Sequence, residues 1–198
     1  MPPANYDLRR GIGNRIWQWL GNDRFGDCTV AAYLHLCMVH NIAASSSWKK
    51  LLYRAGYRPP HDPFAVVLYT EFLATLNEKP SGTQGVDPFT FFTWLKVKGI
   101  IQDFQQIDIT APGEDAMHQA MIDWSGCLLA LNLTTYAFDT ALNGKAWDVR
   151  PGDVPAFGHA VALVEYGPLN DAVVTWGQIQ SMTRAFTKEC VYACWVFK

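Results

Sequence analysis

From Cys28 to His40 the chain reads "CTVAAYLHLCMVH", apolar almost without interruption. A helix that is apolar all round is a buried one, so this run predicts a core helix rather than a surface one. Asp27 precedes it as the expected N-cap, a carboxylate able to accept from the first free amides. A second helical run, "AVVLYTEFLATLN", covers 65–77. "PFTFFTWLKVK" predicts a third helix over 88–98, with Asp87 as N-cap and Pro88 at the first helical position. Between them, Ser45–Ser46–Ser47 and Pro59–Pro60 mark 43–63 as a loop, and "EKPSGTQGVDP" is another. Residues 1–27 read as extended chain and loop.

Beyond Gly99 the period changes. "FQQIDIT" alternates as a strand does, and "PGEDAMHQAMIDW" is a short amphipathic helix with Glu114 and Asp115 placed where the helix dipole favours acids. "GCLLALNL" is a buried strand. "HAVALVEYG" and "DAVVTWG" form a hairpin around Pro168–Asp171, and "CVYACWVF" is the last strand. The expected class is therefore α+β. It is a single domain over 1–198, with a mainly helical lobe at 1–98 and a mainly antiparallel β lobe at 99–198.

Composition narrows the partners. Hydrophobic residues make up 49% of the 198, aromatics 14% and charged residues 17%, with a net charge of −2. The low charge excludes a disordered chain and points to a surface partly covered in self-association or a larger assembly. No basic cluster is present, which argues against nucleic acid as a partner. No apolar run is long enough to cross a membrane, and "MPPANYDLRRGIGNR" contains no secretory signal. Five cysteines, an odd number without a signal, indicate free thiols in a reducing compartment. "GIGNR" lacks the rest of a dinucleotide or phosphate-loop motif. Cys190 and Cys194 lack a second ligand pair for zinc, and with Cys37 and Cys127 they read as core; no metal or organic cofactor is expected.

The chemistry centres on "GNDRFGDCTVAA". A thiol becomes nucleophilic at a helix N-terminus and beside an imidazole, and Cys28 meets the first condition. His35 and His40 lie further along the same helix and point away from its start. His61 sits in the Pro-rich loop and His118 on the amphipathic helix. His159 follows Gly158 and opens a strand. If the hairpin turns near Leu169, residues 175–178 lie opposite 160–163. Thr175 then falls beside His159, and Trp176 can cover the pair from water.

These segments resemble papain-like cysteine peptidases. "YDLR" at 6–9 resembles the Asp-aromatic-Arg segment near the start of mature members. "GNDRFGDCTVAA" resembles the stretch from the oxyanion-hole glutamine to the nucleophile. "GHAVALVEYG" resembles the Gly-His-Ala-Val strand, and "VVTWG" the Asn-Ser-Trp-Gly strand end. The wording is nearest to small papain-like proteins of bacteria and their phages. The resemblance implies a papain-like fold, with Cys28 as nucleophile, His159 as base and acid, Asn22 in the oxyanion hole and Trp176 as shield. Thr175 takes the orienting position. Because the likeness begins at residue 6, it implies no room for an inhibitory propeptide.

Three positions depart from the family pattern. Thr175 replaces an asparagine, Asn22 is one methylene shorter than glutamine, and Asp27 puts a negative charge beside the thiol unless it caps the helix or pairs with Arg24. The expected function is a thiol hydrolase that cleaves a peptide or isopeptide bond in a peptide or protein substrate. The alternatives are an amidase or transferase using the same Cys–His chemistry, and a catalytically inactive structural or binding module such as a phage virion component. The expected location is cytoplasmic or virion-associated.

Overall fold

The structure is a computed structural model that describes residues 2–11, 17–40, 62–82, 84–110, 114–141 and 143–198. The sequence-predicted loop at 43–63 falls outside these residues up to His61. The described helices are α1 (Cys28–Val39), α2 (Asp62–Thr75), α3 (Pro88–Val97), α4 (Glu114–Asp123), α5 (Thr135–Ala141) and α6 (Arg184–Cys190). The strands are β1 (Tyr6–Asp7), β2 (Phe104–Ile107), β3 (Cys127–Thr134), β4 (Pro155–Tyr166), β5 (Asn170–Thr175), β6 (Gln178–Thr183) and β7 (Val191–Phe197).

The apolar run at 28–39 forms the expected core helix, with every residue from Thr29 to Met38 buried. α3 starts as its sequence signals, with the Asp87 carboxylate accepting from Thr90 N at 2.8 Å and Pro88 in the first turn. α2 begins at Asp62, three residues before the expected start, because Asp62–Pro63 opens the helix rather than ending the loop.

Seven antiparallel strands make one sheet, in the order β2-β7-β3-β4-β5-β6, with β1 paired to β4. Thus "YDLR" joins the sheet of the second half: Tyr6 pairs with Tyr166 and Asp7 with Glu165. Arg9 bonds Asp7 at 2.9 Å and also pairs with Glu165, tying the N-terminal segment to β4.

Alternation divides the sheet between two cores. Leu128, Ala130, Ala160, Ala162 and Val174 face α1, α2 and α3, where Tyr33, Phe72, Phe91, Phe92 and Trp94 pack edge to face. Leu129, Leu131, Val161, Leu163 and Val173 face the other way, against Met117, Ala137, Trp147 and Phe186. The aromatics of α3 therefore fill the core. Its outer face carries Thr90, Thr93, Lys96 and Lys98, with Phe89 and Val97 as exposed apolar residues.

Several local expectations are corrected. β6, α5 and α6 were not legible as elements. Cys190 ends α6 instead of starting the last strand, so it does not share a strand with Cys194. A bulge between Leu163 and Glu165 shifts the β4–β5 register, pairing Ala162 with Val174 and Leu163 with Val173. Asp27 precedes α1, but its side chain makes no capping bond; its backbone carbonyl accepts from Ala31 N at 2.9 Å.

Candidate active site

Cys28 is the first residue of α1 and is partly exposed, whereas Cys37, Cys127, Cys190 and Cys194 are buried; all five are free. The helix start is held from outside. Thr29 Oγ1 donates to Val86 O at 2.6 Å, and Gly26 N donates to Ser81 O at 3.0 Å. A Cβ at Gly26 would lie 2.3 Å from Gln84 O, so the backbone at Gln84 can close on this turn only over glycine.

His159 lies in β4, paired with Leu131 of β3, and is 5% exposed. Its Nε2 is 2.7 Å from the buried Thr175 Oγ1 at the end of β5. Trp176 follows in the β5–β6 turn with its ring stacked on the imidazole, centroids 4.8 Å apart and planes at 24°. The turn is a two-residue hairpin connection: Thr175 pairs with Gln178, and both central residues have positive φ, 46° at Trp176 and 72° at Gly177. Phe138 and Trp147 meet the Trp176 ring edge-on at 5.7 and 5.9 Å.

Cys28 and His159 line the same cavity, of about 320 Å³. Its walls come from Thr29, the 85–88 segment, Ala130 of β3, Gly158 and Ala160 of β4, and Tyr192 of β7. Asn22 lies in the preceding turn rather than in this wall. Its Nδ2 donates to Asp27 Oδ1 at 3.2 Å and to Phe25 O at 3.5 Å. Arg24 pairs with Asp23 at 3.5 Å. Asp27 is therefore neither a side-chain cap nor bound to Arg24; its carboxyl is fully buried, held by Asn22, with Oδ2 unpartnered among the described residues.

Burial governs the electrostatics. It pushes the His159 imidazole down to about 3, so this histidine is neutral. Burial raises the Cys28 thiol, the backbone of Ala160 pulls it back, and the charge of Asp27 raises it again. Burial also carries the Asp27 carboxyl up to about 7, against the pull of the Asn22 amide. At neutral pH the resting pair is a thiol beside a neutral imidazole.

Sequence reasoning did not reach the cavity wall formed by Asp87, Tyr192 and Ala130, nor the aromatic surround of Phe138, Trp147 and Phe157. Phe157 had a signal, since it stands two residues before His159 on one strand face and its ring meets the imidazole at 6.3 Å. The others come from distant segments with no shared pattern.

No protein-family model matches the sequence, and no curated protein matches it. Solved structures do match. Xylellain, a cysteine protease from Xylella fastidiosa, superposes with a TM-score of 0.58 at 13% identity, over 100% of this chain and 87% of that one. The Carica candamarcensis cysteine protease CMS1MS2, in complex with E-64, gives 0.51 at 13% identity, over 99% of this chain and 98% of that one. The chain has a papain-like fold, with helices in its N-terminal half and antiparallel strands toward its C-terminus.

Proposed function

We propose that the protein is a papain-like thiol hydrolase that cleaves a peptide or isopeptide bond through an acyl-enzyme at Cys28. One observation carries this reading: Cys28 and His159 line one cavity, with His159 Nε2 held by Thr175 beneath Trp176. Thr175 occupies one ring nitrogen, which leaves Nδ1 for the thiol. With Nε2–H donating to Thr175 Oγ1, Nδ1 carries the lone pair that a general base needs.

As Sγ attacks the carbonyl carbon, its proton passes to Nδ1 and the carbonyl π pair moves onto oxygen. The Cys28 backbone N–H and the Asn22 amide are the proposed donors to that oxyanion. Asn22 would exchange its long bond to Phe25 O for the new one. The C–N bond then breaks, and the leaving nitrogen takes the proton from His159. Water, deprotonated by the same Nδ1, attacks the thioester, releases the acid and restores the thiol. An amine in place of water would give the transferase outcome.

A rival reading, an inactive structural or binding module such as a virion component, draws support from the buried acid beside the thiol and from exposed Phe89 and Val97. The deciding experiment incubates the chain with a broad peptide library and follows both cleavage and a Cys28-linked acyl adduct by mass spectrometry. Cleavage that is lost in Cys28→Ala supports the hydrolase. A folded wild-type chain with neither product nor adduct would leave the module reading in its place. Added amine appearing in the product would assign the transferase.

A further inference from the structure

Asp27 bears on the state of the thiol itself, and the inference rests on Cys28 being the reactive thiol. A fully buried carboxyl stands immediately before that thiol, with one oxygen on the Asn22 amide and the other unpartnered among the described residues. An unpaired charge in such a place is expensive, whereas the neutral acid is tolerated. The space around it is closed: a Cβ at Gly21 would lie 2.6 Å from Asp27 Oδ2 and 3.0 Å from Val66 of α2. The surrounding charges do not offset the cost. Asp23 in the same turn and Asp62 at the head of α2 both act against ionisation. From α2, the Tyr69 phenol is raised by burial and, to a smaller extent, by the charge of Asp27. Arg24, three residues before Asp27 in the chain, pairs with Asp23.

We propose that Asp27 is a positioning residue that sets the state of the thiol: its Oδ1 holds the Asn22 amide in the turn before α1 in either state, as the neutral acid it leaves Cys28 able to ionise, and as the carboxylate it suppresses Cys28. Only a proton moves, from the Asp27 carboxyl to solvent, and no covalent step is involved. The changeover falls near neutrality, because burial carries the carboxyl up to about 7. Below it Cys28 is free of the neighbouring charge; above it the same charge raises the thiol. The site is then favoured on the acid side of neutral, and the negative charge next to the nucleophile acts as its alkaline brake.

The test needs no substrate. The rate of Cys28 alkylation by iodoacetamide is read by peptide mapping from about pH 5 to about pH 9, in the full chain and in Asp27→Asn. In the wild type the rate should climb, level off as Asp27 ionises, and climb again at higher pH. Asp27→Asn, of the same shape but without the charge, should show a single rise and react about tenfold faster at about pH 8. Profiles that superimpose within about twofold in two folded proteins overturn the proposal. Should Asp27→Asn fail to fold, His159→Ala decides: a levelling that persists belongs to Asp27, and one that vanishes belongs to the imidazole and overturns the proposal. The hydrolase reading stands or falls separately, on peptide cleavage. A chain that cleaves nothing but shows the two profiles keeps the Asp27 assignment, and a chain that cleaves but shows one profile loses it.

Discussion

Trp176 lies flat on His159, ring centroids 4.8 Å apart, while the residue before it, Thr175, holds the imidazole Nε2 at 2.7 Å. One short turn thus supplies both the bond and its cover. The cover has a cost, since Trp176 sits at φ 46°, a conformation that non-glycine residues adopt at about 1–2 kcal/mol. Stacking on His159 and edge contacts with Phe138 and Trp147 offset it.

The two residues should separate on mutation. A neutral hydroxyl bond contributes about 0.5–1.5 kcal/mol net, so Thr175→Val should lower kcat/KM by about tenfold or less. Trp176→Ala removes the water barrier that strengthens this bond, and should cost more while also lowering the melting temperature. Paired kinetics and melts check this. A folded Thr175→Val with no turnover would make the hydroxyl a required member of the site.

Gly177 places that turn. Its φ is 72°, and an added Cβ would meet Trp19 Cδ1 at 3.1 Å and Trp19 N at 3.3 Å. Gly177→Ala therefore combines a left-handed backbone penalty with a steric one, and should destabilise the protein by about 1–3 kcal/mol in urea melts. A loss under about 0.5 kcal/mol would show that the 17–20 segment moves aside freely.

Legibility in the sequence followed the strength of local signals. α1 and α3 were readable because an unbroken apolar run and an Asp-Pro start each admit few alternatives. His159 and Thr175 could be brought together because a hairpin links them, even though the Val164 bulge moves the pairing. β6 was missed because "QIQSMT" is mostly polar. Its Gln180 is buried only by donating to Lys145 O and Ser181 O, partners that no periodicity reveals. The preceding Trp-Gly turn also lacks the Asn-Gly form that announces a hairpin. α5 and α6 are short, seven residues each, and are fixed by tertiary packing and, in α6, by the Thr183 cap. Asp27 looked like a cap because caps and buried acids use the same residue; only the fold turns its carboxyl toward Asn22.

A second buried acid, unlike Asp27, has partners on both carboxylate oxygens. Asp171 of β5 receives His118 Nε2 at 3.0 Å, Arg184 Nη1 at 3.2 Å and Thr187 Oγ1 at 2.7 Å, joining α4 and α6 to the sheet. Arg184 also donates to Gly167 O at 2.7 Å, and His118 stacks on Tyr166 with centroids 4.1 Å apart. Asp171→Ala strands these donors in the interior and should cost about 3–5 kcal/mol. Urea denaturation measures it. A cost below about 1 kcal/mol would mean that water or local rearrangement replaces the carboxylate.

Stability should vary with pH through two opposing sets of buried groups. Burial lowers His35 and His40 to about 4 and His159 to about 3. The unfolded histidines titrate near 6.5, so between these values the unfolded chain binds more protons than the folded one. Their contribution is complete above about pH 6.5 and is lost as pH falls, at roughly 3 kcal/mol or more for each of the buried His35 and His159 and less for the half-buried His40. Asp27 runs the other way. Its folded value is about 7 against an ordinary 3.8, so its penalty grows as pH rises across that window and is constant beyond it, at roughly 4 kcal/mol. Three histidines outweigh one carboxyl, and acidification should unfold the protein between about pH 6 and about pH 4. Asp27→Asn isolates the opposing effect. Compared with wild type in urea, it should be more stable by up to roughly 4 kcal/mol at about pH 8, and by roughly a third of that at about pH 5. A stability gap of the same size at both values would mean that the folded protein does not protonate Asp27 in this range, and that its carboxyl is charged at Cys28 throughout.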